Sequence, residues 1–243
     1  MSKTQIHHVI VLDQSGSMLT VIDQTRTGFN EIIQQIKKDA ETYEDTQDHL
    51  ASLVVFSGEV DRVYWLEDIA NLTEMSEGQF KPGGSTALND AIGLTVAGLE
   101  KDLKLEIAKG DAKIFMTVIT DGYDNASQEY GPAELKKAVE NLKQEEDDSP
   151  WTLSLIGANI DSLMTGEKLG FKSGMTASFD ATAVGTQDAF SGMTNTRATY
   201  SQGINRGYSK TQVDSLVSHV SQIGEQLSDD EMESFLNKSE SDD

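Results

Sequence analysis

Near the start of the chain, Ile6 to Met18 (I-H-H-V-I-V-L-D-Q-S-G-S-M) sets a carboxylate and two hydroxyls at alternate positions, Asp13, Ser15 and Ser17. Gly16 between them lets the backbone turn tightly. Oxygens of this kind are hard ligands. They suit Mg²⁺, Mn²⁺ or Ca²⁺ far better than zinc or copper. By itself D-x-S-x-S is also an ordinary polar turn, since Ser and Gly are common turn formers. Two later segments add to the metal reading. One is G-G-S-T at 83 to 86, which contributes Thr86, and the other is T-D-G at 120 to 122, which contributes Asp121.

These oxygens can meet only if the elements before them end at one edge. Val9 to Leu12 is short, apolar and β-branched, the pattern of a strand buried on both faces of a parallel sheet. Leu50 to Phe56, Lys113 to Thr120 and Trp151 to Ile156 read the same way. Val60 to Leu66 carries charge and alternates, so it is expected as an antiparallel edge strand following the Ser57-Gly58-Glu59 turn. Met175 to Phe179 is expected as a last edge strand. Between these lie helical stripes at Thr20 to Lys38, Thr86 to about Ile107, Pro132 to Lys143, Asp161 to Leu169 and Thr186 to Gln202. Ser85 or Thr86 is the expected N-cap of the second helix. Strands alternating with helices imply an α/β, doubly wound, Rossmann-like sheet, mainly parallel, with helices on both faces. Ligand sites in such sheets lie at the carboxyl ends of the strands, where strand order reverses. Asp13 and Asp121 each follow a core strand, and Thr86 opens a helix at the same rim.

The order and strand context of D-Q-S-G-S, G-G-S-T and T-D-G resemble the von Willebrand factor type A (VWA) domain and its metal-ion-dependent adhesion site (MIDAS). The likeness covers roughly residues 5 to 205. It implies that Ser15, Ser17 and Thr86 are hydroxyl ligands, and that Asp13 and Asp121 bind a metal directly or through water. The metal expected is Mg²⁺, with Mn²⁺ or Ca²⁺ as alternatives. The resemblance further implies an intracellular adaptor of the bacterial or phage kind, whose protein partner, such as an AAA+ ATPase, a kinase or a phosphatase, offers an acidic side chain. Asp124 in D-G-Y-D-N reads equally well as a second layer of hydrogen bonding or as a solvated loop acid. Asp90 reads as a helix N-terminal acid favoured by the helix dipole.

The composition narrows the classes. With 41 acidic against 19 basic residues the net charge is −22, which argues against nucleic acid and anionic membranes as partners. Its plain reading is solubility. There is no cysteine, hence no disulfide and no thiolate site, which suits the cytoplasm. No apolar run approaches the ~20 residues of a membrane helix, and the N-terminal residues show no signal-peptide pattern, which disfavours an extracellular adhesin. A Ser–His hydrolase is disfavoured as well. His7, His8 and His49 precede their strands, roughly 13–20 Å from the rim at about 3.3 Å per residue, and neither they nor His219 belongs at the rim. No G-x-S-x-G elbow or Walker loop is present. A Mg²⁺-dependent phosphohydrolase of the haloacid-dehalogenase kind would be expected to carry an acid at position 15, where this chain has Ser15, so no enzymatic activity is expected. Residues 1–207 are read as the VWA domain and 208–243 as a helical, acidic tail. In that tail Val213, Leu216, Val217, Val220 and Ile223 form a helical stripe and Ser228 to Glu231 a capping box.

Overall fold

The computed structural model describes residues 3–144, 146–158, 161–172 and 175–239. Glu145 and the acidic end of the expected tail, 240–243, lie outside the described residues.

The chain forms β1 (Thr4–Asp13), a short 3-10 helix (Gly16–Val21), α1 (Ile22–Thr42), β2 (Gln47–Phe56) and β3 (Val60–Asp68). Then come α2 (Leu88–Asp102), α3 (Lys104–Lys109), β4 (Ala112–Thr120), α4 (Pro132–Glu140) and β5 (Trp151–Ala158). It continues through α5 (Ser162–Leu169), β6 (Thr176–Phe179), α6 (Ala183–Asn205), α7 (Lys210–Ile223) and α8 (Asp229–Ser239). Six strands make one sheet in the order β3-β2-β1-β4-β5-β6. Every neighbouring pair is parallel except β2 with β3. This is the doubly wound sheet with one antiparallel edge strand expected from the sequence.

Alternation along the central strand sorts its side chains onto two cores. Val9 and Val11 pack with Leu88, Ile92, Val96, Leu135 and Leu155 under α2 and α4. Ile10 and Leu12 pack with Phe29, Ile32, Ile36, Phe190 and Met193 under α1 and α6. The sheet is therefore buried on both faces, as its near-continuous apolar strands require. At Gly28 the two helices meet so closely that a Cβ would stand 2.2 Å from Phe190 Cγ. In the C-terminal part, Val213 and Val217 of α7 join Ile6, Phe115 and Tyr200 in a third cluster. Leu216 packs with Met232 and Leu236 of α8. The Glu231 carboxylate accepts from both the Ser228 N–H (2.8 Å) and its hydroxyl (2.7 Å), the acid half of the expected capping box.

Helix ends differ from the sequence reading in several places. The helix expected to begin at Thr20 starts as a 3-10 turn and becomes α-helical at Ile22. The helix expected to run to Ile107 breaks at Leu103, whose side chain is drawn into the core at 4% exposure. The N-cap of α2 is Ala87, with no side-chain cap, rather than Ser85 or Thr86. The helix from Pro132 ends at Glu140 rather than Lys143, which takes a left-handed conformation (φ 52°).

Candidate metal centre

Strand register builds the floor of the rim site. The parallel pairing of β1 with β4 sets Leu12 beside Ile119, so the next residues, Asp13 and Thr120, come side by side. Thr120 Oγ1 donates to Asp13 Oδ2 at 2.6 Å. The other oxygen, Oδ1, accepts from the Ser15 N–H at 2.7 Å. From there the polar atoms continue outward. Ser15 Oγ is 3.1 Å from Ser17 Oγ, and Ser17 Oγ donates to Asp121 Oδ1 at 2.5 Å. Asp13, Ser15, Ser17 and Asp121 thus form one continuous set of contacts.

Thr86 comes from the loop ahead of α2. Two backbone bonds stitch that loop to the first one, Gly83 N–H to Gln14 O (2.9 Å) and Gly16 N–H to Gly84 O (3.2 Å). Gly84 sits at φ +82°, in the left-handed region open to glycine. Across the site, a Cβ on Gly122 would lie 3.5 Å from Thr86 Oγ1, so Thr86 faces the turn that carries Asp121. Asp13, Ser15, Thr86 and Asp121 are buried, whereas Ser17 is exposed. The site has a buried floor and an open mouth.

Burial raises the pKa of Asp13, against the pull of the Thr120 and Ser15 hydrogen bonds and with the Asp121 charge adding to it. Burial raises Asp121 as well, against the Ser17 hydrogen bond. Two desolvated carboxyls side by side are poorly placed to hold two negative charges unaided. A divalent cation would favour their ionised forms, and the donor set around them is all oxygen. These residues therefore fit a hard divalent cation. Among the described residues no group of three or more His, Asp or Glu side chains gathers to hold a metal, so the hydroxyls are essential to this candidate.

The turn that carries Asp121 is anchored to α2 by long-range hydrogen bonds that the sequence does not advertise. Asp124 Oδ1 accepts from the Asn89 N–H at 3.2 Å and Ser127 Oγ from the Asp90 N–H at 2.9 Å. These two residues cap the helix that lacks a cap of its own. Asn125 Oδ1 accepts from the Thr86 N–H at 2.8 Å, and Thr86 O accepts from the N–H groups of Asn125 (2.9 Å) and Ala126 (3.2 Å). Asp90 does more than complement the helix dipole. Its carboxylate accepts from the N–H groups of Gln128 (2.7 Å), Glu129 (2.9 Å) and Tyr130 (2.7 Å). Asp124 is thus part of the support for the site. Thr120, Asn125 and Ser127 were missed as supports. The one usable signal was Thr120, a polar side chain closing an otherwise apolar strand beside an acid.

The von Willebrand factor type A domain family matches residues 9–190. Several solved structures share the fold. A von Willebrand factor type A protein from Catenulispora acidiphila aligns with TM-score 0.53 at 16% identity, over 79% of this chain and 42% of its own. The PilB minor pilin from Streptococcus sanguinis aligns at 0.55 and 12%, over 81% and 62%. Proximal thread matrix protein 1 from the mussel byssus, with a zinc-occupied MIDAS motif, aligns at 0.51 and 12%, over 81% and 46%. The chain therefore spans less than two thirds of the length of these relatives. No curated protein matches it.

Proposed function

The chain belongs to the von Willebrand factor type A family, and from that membership we propose that it is a metal-dependent protein-binding module. The observation that carries the proposal is the unbroken set of contacts from Asp13 through Ser15 and Ser17 to Asp121, with Thr86 facing the same turn. Asp13, Ser15, Ser17, Thr86 and Asp121 would hold Mg²⁺, or Mn²⁺ or Ca²⁺ in its place, directly or through water. When bound, the cation supplies a Lewis-acidic position for one more oxygen ligand. Two aspartates balance its charge and the hydroxyls add none, so the centre retains an attraction for a carboxylate from a partner's Asp or Glu. The buried floor keeps the ligands in place, and exposed Ser17 marks the side from which a partner arrives.

The reading is of binding, not catalysis. His8 and His49 are engaged with one another in the sheet's interior, away from the rim where a general base would be needed. An adaptor working with an AAA+ ATPase, a kinase or a phosphatase is the setting we propose, in the cytoplasm, which suits a chain without cysteine. The solved structures of similar fold, minor pilin included, share too little sequence to transfer their settings.

Immobilised chain tests the proposal in a pulldown from native lysate, with Mg²⁺ or with EDTA, beside the Ser17→Ala variant. Partners retained with Mg²⁺ and lost under both perturbations support it. Partners retained in EDTA and by Ser17→Ala place recognition elsewhere on the surface. A phosphatase assay with Mg²⁺ separates the enzymatic alternative, and turnover abolished by Ser17→Ala would favour it. Association rates with an identified partner should fall as salt is added, because a chain at −22 draws a partner that is neutral or basic outside its one acid.

A further inference from the structure

A buried polar chain lies between the sheet and α6, on strand residues that precede the rim. Arg197 is fully buried, with its guanidinium over the Phe115 ring (4.8 Å). It donates to Thr117 Oγ1 (2.9 Å), Val9 O (3.3 Å) and Phe115 O (3.4 Å), and stands 3.3 Å from His8 Nδ1. His8 Nε2 is 3.0 Å from His49 Nδ1, His49 Nε2 is 3.0 Å from Gln47 Oε1, and Gln47 Nε2 donates to Ser201 O at 2.8 Å.

The direction of every bond in this chain follows from its first member. A guanidinium has donors only, so His8 Nδ1 must accept. Neutral His8 then carries its proton on Nε2 and donates to His49 Nδ1. His49 carries its proton on Nε2 and donates to Gln47, whose amide passes the direction on to Ser201 of α6. One extra proton has no place. On His8 Nδ1 it faces the guanidinium. On His49 Nδ1 it faces the His8 N–H. Either way donor meets donor, and a second positive charge enters a site already holding Arg197.

We propose that this chain is an acid-sensitive clasp: a proton taken up by His8 or His49 releases α6 from strands β1, β2 and β4 while the rest of the sheet stays folded. The charges around it agree. Arg197 and Tyr200 face it from α6, His7 neighbours it on β1, Asp48 on β2 and Asp39 on α1. His49 lines a cleft with Lys3, Glu44, Asp48 and Asp68 at its mouth, where acids outnumber the cation and give protons a route inward. Burial lowers the pKa of both histidines, His49 to about 4, and His49 and Arg197 lower His8 further. Their ordinary values near 6.5 return once α6 lifts. The folded values are the depressed ones, so the clasp holds above about pH 6.5 and weakens as pH falls below it.

Hydrogen–deuterium exchange on the full chain between pH 8 and pH 5 tests the clasp, with rates corrected for intrinsic pH dependence. The opening of residues 193–203 of α6 should grow about tenfold per pH unit below pH 6.5 for each proton taken up, while α2 keeps its protection. Protection of α6 that is flat to pH 5, or lost together with α2, overturns the proposal. The His49→Gln variant keeps an acceptor for His8 and cannot titrate, so its α6 should open with a shallower pH slope; an unchanged slope counts against the clasp. If that variant does not fold, long-range ¹⁵N–¹H spectra of the wild type at pH 8 decide. Protons on Nε2 of both rings support the clasp, and a proton on His8 Nδ1 overturns it.

Discussion

Replacing Thr120 with valine removes the hydrogen bond beneath the metal centre. Thr120 is fully buried, and its hydroxyl meets Asp13 Oδ2 at 2.6 Å. Valine keeps the shape and removes the donor, together with the acceptor that the hydroxyl offers the Gly122 N–H at 3.2 Å. A hydrogen bond to a charged group contributes about 1.5–3 kcal/mol, so Thr120→Val should lose that much at pH 8 in EDTA, where Asp13 is most ionised. The pH dependence gives the loss a signature. Without its donor the Asp13 carboxyl rises further above the ordinary carboxylate range, so the folded state ionises at greater cost. The deficit is therefore present at high pH and shrinks as Asp13 takes up its proton on acidification. Thr120→Ser is the control. It keeps the donor and loses one buried methyl, about 0.8 kcal/mol at any pH. Urea unfolding of the three proteins in steps from pH 8 down to pH 4 provides the assay. If Val and Ser variants are equally stable at pH 8, or if the Val deficit does not change with pH, the bond is not holding an ionised Asp13.

Two further substitutions probe the packing and burial of α1. Gly→Ala inside a helix ordinarily gains about 1 kcal/mol, but at Gly28 the new Cβ would stand 2.2–2.7 Å from Phe190 atoms. Overpacking of that kind costs about 1–3 kcal/mol, so Gly28→Ala should destabilise in chemical denaturation, and Phe190→Ala should cost less in its background than in the wild type. Burial raises the Asp39 carboxyl to about 6 from 3.8, and its Oδ2 lies buried without a hydrogen-bond partner among the described residues. Its folded pKa is the raised one, so the stability it contributes is present below about pH 4 and is lost as pH climbs through 6. At about 1.4 kcal/mol per unit, Asp39→Asn should be more stable than wild type by up to about 3 kcal/mol at pH 7 and by little at pH 4.

The strands and the rim were legible because each rests on local pattern. Val9 to Leu12 is apolar without interruption, as a strand covered on both faces must be, and charged Val60 to Leu66 marked itself as an edge. Asp13, Ser15 and Ser17 stand at fixed spacing in one turn, and Thr86 and Asp121 stand beside a glycine loop and a strand end. What stayed hidden depends on contacts between residues far apart in sequence. The cap of α2 comes from Asp124 and Ser127, residues 35 and 37 positions from the N–H groups they satisfy, so nothing in the adjacent Ser85 and Thr86 marks it. The break at Leu103 follows from core packing that a helical stripe does not show. The histidines of β1 and β2 lie ahead of the strand ends, away from the rim, as their place in the sequence implies. Their meeting with Arg197, 189 positions from His8, leaves no mark in either local sequence.

Calorimetric titration of the metal-free chain with Mg²⁺ and Mn²⁺, beside Ser17→Ala and Asp121→Asn, tests the central claim most directly. The account predicts one divalent cation per chain at millimolar concentration or below, weakened at least tenfold in both variants. No binding at millimolar metal even with a carboxylate supplied, or binding that both variants leave unchanged, would contradict it.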